Sequence, residues 1–125
     1  MQDPMSELKL GQAQAYVEHY DASLLQAIPR DLSRRHLAHA EFFGADVWTA
    51  YELSWLAPGG KPQVAIAEFT VPASSPNLIE SKSFKYYLNS LNQTEVASWE
   101  ALQSLLIRDL SAVAGADINV RLFDL

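Results

Sequence analysis

Hydrophobic and polar positions change period several times along the chain, and each change marks a different kind of element. Through DVWTAYELSWL (Asp46–Leu56) the alternate residues Val47, Thr49, Tyr51, Leu53 and Trp55 are apolar or β-branched, while Glu52 and Ser54 belong to the other set. Period two predicts a half-buried strand. In APGGKP, Pro58, Gly59 and Gly60 supply the turn chemistry of a hairpin, and QVAIAEFTV reads as the returning strand. PASSPNLI, with two prolines, reads as a loop. From Glu80 the period becomes helical: Phe84, Tyr87, Leu88 and Leu91 share one face, and Lys82, Lys85 and Asn89 lie on the opposite stripe. A second helix is predicted over about Trp99–Ala114, with Trp99, Leu102, Leu106, Leu110 and Val113 on one side. Gly115 is placed to end it in the left-handed conformation. DINVRLFDL alternates once more, Ile118, Val120 and Leu122 against Asn119, Arg121 and Phe123.

The order β-β-α-α-β predicts the α+β class, an antiparallel sheet with two helices on one face. Residues 1–45 are weakly patterned, with short helical turns expected around Ala22–Leu25 and Arg30–Leu37. The expected organisation is an N-terminal arm, residues 1–45, packing on one module, residues 46–125. The segment Asp117–Leu125 is a strand with no hairpin partner after it. Either it pairs as an edge of the existing sheet or a further strand is left out, and exposed edges invite pairing with another copy.

Composition narrows the function classes. With 125 residues the chain is one domain or part of one. A formal net charge of -6 argues against a duplex-binding module, which normally carries a basic face. No apolar run approaches the roughly 18 residues of a membrane span, and MQDPMSELKLGQ lacks the apolar region of a signal peptide. The expectation is a soluble, cytoplasmic chain with no membrane and no nucleic-acid partner. There is no cysteine, so disulfides, thiolate metal sites and a cysteine nucleophile are excluded within these residues.

Candidate chemistry gathers at the first helix. A carboxylate at Glu80 accepts two N–H donors at once, the arrangement that reads the amidine-like edge of a guanine. Ser81 and the backbone N–H groups of the first turn would add donors. Lys82 and Lys85 are cations at a helix start, where the helix dipole disfavours them unless an anion such as a phosphate binds there. The commoner arrangement is a favourable first-turn acid and two lysines on a solvated face. Glu52 and Glu68, in the hairpin strands, are read as outward-facing acids. His36 and His39, three apart with Glu41 nearby, lack a third ligand at metal-binding spacing, so no metal site is assigned. No Ser-His-Asp order, phosphate-binding glycine loop or dinucleotide fingerprint occurs.

The motif ESKSFK (Glu80–Lys85) resembles that of the NADPH-dependent 7-cyano-7-deazaguanine reductases, the nitrile reductases of queuosine biosynthesis, a tRNA modification. YDASLLQAIPR, DVWTAYELSWL, GKPQVAIAEF, SPNLIESKSFKYYLNSLNQT and SWEALQSLLIRDLSAVAG are also similar to the long, two-module form of that family. The resemblance implies a tunnelling-fold module with its final strand missing, one of the β-β-α-α-β-β units whose sites lie at module interfaces. It implies conversion of 7-cyano-7-deazaguanine to 7-aminomethyl-7-deazaguanine with two NADPH. It carries substrate contacts onto Ile79, Glu80 and Ser81, and cofactor contacts onto Ser81, Lys82 and Lys85. In the long form the cysteine that adds to the nitrile and the aspartate that donates a proton lie in the C-terminal module. No catalytic residue is therefore expected in this chain, which resembles the N-terminal half and is expected to form homo-oligomers. The alternative is a purine- or pterin-binding or structural tunnelling-fold module without redox chemistry. A cyclohydrolase-like relative would need His/Cys metal chemistry that the chain lacks.

Overall fold

A hairpin of two long strands carries the architecture. The computed structural model describes residues 19–31 and 45–125; His36, His39 and most of the turn expected over Arg30–Leu37 lie outside them. After a short 3-10 turn, Ala22–Leu24, the order is β1 (Ala27–Pro29), β2 (Ala45–Ala57), β3 (Lys61–Pro72), β4 (Asn77–Ile79), α1 (Ser81–Asn89), α2 (Trp99–Ala114) and β5 (Asn119–Phe123). The main sheet is antiparallel in the order β2-β3-β5. β5 pairs with β3 at the edge of this sheet. Pro58–Gly60 make the turn between β2 and β3, with Gly59 and Gly60 at φ 89° and 84°, angles that glycine adopts without a side-chain clash.

The α+β class and the predicted β-β-α-α-β order hold, and the arrangement is compatible with a tunnelling-fold module. Both helices are amphipathic as read. Phe84, Tyr87 and Leu91 from the first helical segment, with Leu102, Leu106 and Leu110 from α2, pack against Leu53, Trp55, Ala65, Ala67, Phe69 and Val120 of the sheet. Ser98 caps α2 through Ala101 N–H at 3.0 Å. Gly115 ends it at φ 74°, where a Cβ would stand 2.8 Å from Pro76 Cγ.

Two elements differ from the reading. The five alternate residues of β2 do not share a face. Pairing runs from Ala45↔Pro72 to Ala50↔Ala67 and resumes at Leu53↔Ala65, so Tyr51 and Glu52 together oppose Ile66. This bulge reverses the alternation. Leu53 and Trp55 are buried at 2% and 1%, whereas Val47 and Tyr51 stand 60% and 70% exposed. Before the bulge it is Trp48 and Ala50 that face the core. Hydrophobicity could not reveal this, because apolar residues occupy both faces of the first half.

The second difference is PASSPNLI, where Asn77–Ile79 forms β4 and pairs with β1 in a separate two-stranded sheet, Ala27↔Ile79 to Pro29↔Asn77. A three-residue strand carries almost no periodic signal. Its partner comes from the weakly patterned arm, which also buries Leu24 and Leu25 in the core.

Candidate functional site

Glu80 stands where β4 becomes α1, and both sides of that junction are tied down. Its N–H donates to the Gln26 carbonyl at 2.9 Å, continuing the β1–β4 pairing. Gln26 N–H donates to Ser83 Oγ at 3.0 Å, and that hydroxyl donates to the Glu80 carbonyl at 2.8 Å. Behind β4, buried Arg30 holds the preceding loop. Its Nε donates to the Ser75 carbonyl at 2.7 Å, and a terminal nitrogen donates to the Pro72 carbonyl at 3.0 Å. Asn77 Nδ2 donates to the Val113 carbonyl at 3.0 Å, tying β4 to α2.

The Glu80 carboxylate is the helix cap. Oε1 accepts from Lys82 N–H at 2.9 Å and Oε2 from Ser83 N–H at 2.6 Å. These are two of the donors that a helix start leaves unpaired, and the charge suits the positive end of the dipole. The expectation that first-turn N–H groups would serve a ligand is corrected accordingly: two of them are taken by Glu80 itself. A carboxylate has about four acceptor directions, so each oxygen keeps one for another donor.

The remaining predicted positions separate. Ile79 is buried in the core, 7% exposed. Ser81, Lys82 and Lys85 are exposed, and among the described residues neither lysine has a carboxylate within ion-pair distance. Ser81 and Lys85 line a cleft of about 300 Å³ between β2 and α1, together with Trp48, Glu52, Leu53 and Asn89. Lys82 and Glu80 are not among its lining. Glu68 faces Arg121 across the sheet at 3.8 Å, outward as read, whereas Glu52, exposed, stands at the rim of the cleft.

Asp109 is a buried carboxylate that pattern reading missed, since it stands on the apolar side of α2. It accepts from the Tyr87 hydroxyl at 2.8 Å, from the Tyr20 hydroxyl, and from Arg108 Nε at 3.1 Å. Tyr87 comes from α1 and Tyr20 from the arm, so one carboxylate joins three segments. Burial pushes the Tyr87 hydroxyl well above its ordinary 10.0, and the hydrogen bond and charge of Asp109 add to this. Tyr20 is raised for the same reasons in the same order. Both hydroxyls hold their protons more tightly in the folded chain than in the unfolded one. Their contribution to stability is complete below pH 10.0 and declines as pH rises above it. Urea midpoints measured through the alkaline range are expected to fall, and Tyr87→Phe to shallow that fall. An unchanged alkaline slope in the variant would exclude Tyr87 as its source.

Residues 16–122 match the family described as nitrile reductase, 7-cyano-7-deazaguanine-reductase N-term. The chain belongs to this family. It is 57% identical to the NADPH-dependent 7-cyano-7-deazaguanine reductase of Cupriavidus necator, and 56% identical to the proteins of that name from Cupriavidus metallidurans and Cupriavidus taiwanensis. Each match spans 90% of this chain and 43% of the relative, so the chain spans less than half the length of the curated relatives it matches. Among the described residues no helix is long and apolar enough to cross a membrane.

Proposed function

We propose that this chain forms the ligand-holding N-terminal portion of an NADPH-dependent 7-cyano-7-deazaguanine reductase, which converts the nitrile to the primary amine of 7-aminomethyl-7-deazaguanine. The observation that carries the reading is the fixed carboxylate of Glu80, clamped by β1, β4 and Ser83 at the opening of α1. Such a group accepts the ring N–H and exocyclic amine of a guanine-like edge through its free acceptor directions. Ile79 backs the position from the core, and the exposed Ser81 hydroxyl stands next to it.

The donor set beside Glu80 fits a dinucleotide. Ser81 and Lys85 line the cleft, and Lys82 stands one residue along α1; both lysines are free of acidic partners among the described residues. Lysines so placed hold phosphates as point charges. NADPH supplies hydride when bound, and reduction of a nitrile to an amine takes two hydrides and two protons. This chain's residues bind and orient. With no cysteine among its 125 residues, it forms no thioimide with the nitrile, and that step falls to the rest of the longer protein.

Lys82→Ala and Lys85→Ala, made in the full-length reductase, are expected to raise the Kd for NADPH and leave the Kd for 7-cyano-7-deazaguanine unchanged. The effect should shrink as salt is added, because an exposed lysine–phosphate contact is screened over about 8–10 Å at ordinary ionic strength. If both variants bind NADPH like the parent at low salt, the lysines belong to a solvated helix face and the cofactor assignment fails.

A further inference from the structure

The cleft between β2 and α1 has an aromatic wall that the lysines do not explain. Trp48 is 38% exposed, and its indole lies nearly parallel to the Phe84 ring, centroids 5.7 Å apart at 17°. Phe84 is buried and meets Phe69 edge-on at 5.0 Å. One face of the indole thus rests on a rigid aromatic stack, and the part of Trp48 left exposed lines the cleft. Around it stand Lys85, Asn89 and Glu52. Glu52 lines this cleft from the bulge, where Tyr51 and Glu52 oppose Ile66. Bulges re-aim side chains in this way beside functional sites.

A preformed apolar cleft with a few polar groups on its rim is the ordinary form of a small-molecule site. Here a flat ring surface, one cation and one carboxylate occur together. They match a planar heteroaromatic ring joined through a ribose to a phosphate. We propose that Trp48 is the stacking platform for the nicotinamide half of the cofactor, with Lys85 on its phosphate and Glu52 accepting from its ribose hydroxyls. This rests on the reading of the chain as a contributor to an NADPH site. Glu52 decides which half of the dinucleotide stacks: its carboxylate repels the 2′-phosphate on the adenosine ribose of NADPH, whereas the nicotinamide ribose offers two uncharged hydroxyls. The bare deazaguanine substrate carries no phosphate to engage Lys85.

The test is tryptophan fluorescence of the full-length reductase titrated separately with NADP⁺, nicotinamide mononucleotide, 2′,5′-ADP and 7-cyano-7-deazaguanine. Trp55 is 1% exposed and Trp99 is partly buried and stands outside this cleft, so Trp48 is the most exposed indole of this chain and the one that lines it. NADP⁺ and nicotinamide mononucleotide are expected to quench, and Trp48→Phe to abolish that component while preserving the ring stack. Trp48→Ala should weaken nicotinamide mononucleotide about tenfold and leave 2′,5′-ADP unaffected. Quenching that survives in Trp48→Phe, quenching by 2′,5′-ADP or by the substrate alone, or unaltered mononucleotide affinity in Trp48→Ala would each overturn the proposal. So would a Trp48→Ala protein that changes its sedimentation without changing mononucleotide affinity, since Trp48 would then be an interface residue. Should NADP⁺ binding depend on Lys82 and Lys85 without a Trp48 signal, the stacking inference alone fails. Should it depend on neither lysine, the cofactor reading fails with it.

Discussion

Asp109→Ala is expected to lower the unfolding free energy of the chain by about 2–4 kcal/mol, among the largest effects of any single polar substitution here. The carboxylate is buried and accepts from Tyr87, Tyr20 and Arg108 together. Removing it leaves the fully buried Tyr87 hydroxyl without its acceptor. An orphaned buried donor loses its hydration and gains nothing in return. Tyr87→Phe removes the donor instead, and Asp109 keeps Tyr20 and Arg108, so its expected loss is only about 0.5–1.5 kcal/mol. Asp109→Asn, which retains one carbonyl acceptor, should fall between them. Urea unfolding of the three variants reads the ranking. Equal losses for Asp109→Ala and Tyr87→Phe would mean that the carboxylate does not join arm, α1 and α2 energetically.

Glu80→Ala in the full-length reductase is expected to weaken 7-cyano-7-deazaguanine by about 1.5–3 kcal/mol, the range for a hydrogen-bonded charged group, with a much smaller effect on NADPH. The same substitution removes a helix cap and should cost about 0.5–2 kcal/mol of stability. The two consequences are separated by Glu80→Gln. The amide keeps the side chain's size and one acceptor for the α1 amides, but it presents an NH₂ where a second acceptor is needed for the base. Calorimetric titration should therefore show Glu80→Gln near the parent in stability and near Glu80→Ala in substrate affinity. A parental substrate Kd in either variant returns Glu80 to the role of a helix cap and favours a module without redox chemistry.

How far the site was legible depended on distance along the chain. Glu80, Ser81, Lys82 and Lys85 stand within six residues, so a local motif announces them together. The cleft that Ser81 and Lys85 line needs Trp48 and Glu52 from a strand thirty residues earlier. Strict alternation places Trp48 in the set opposite Leu53, and the bulge in pairing with β3 puts the two on the same face. Likewise the clamp on Glu80 depends on Gln26, more than fifty residues upstream, in a segment without detectable period.

By itself the sequence determined the α+β class, the order of the long elements, both amphipathic helix faces and the stop at Gly115, because each rests on periodicity or backbone preference within a few residues. It also excluded a cysteine nucleophile within these 125 residues. Tertiary structure alone decided the β1–β4 pairing, the bulge in β2 and the burial of Asp109 against two tyrosines. Those features join segments far apart in sequence, and their energies come from desolvation and hydrogen-bond geometry that exist only after the chain has closed around them.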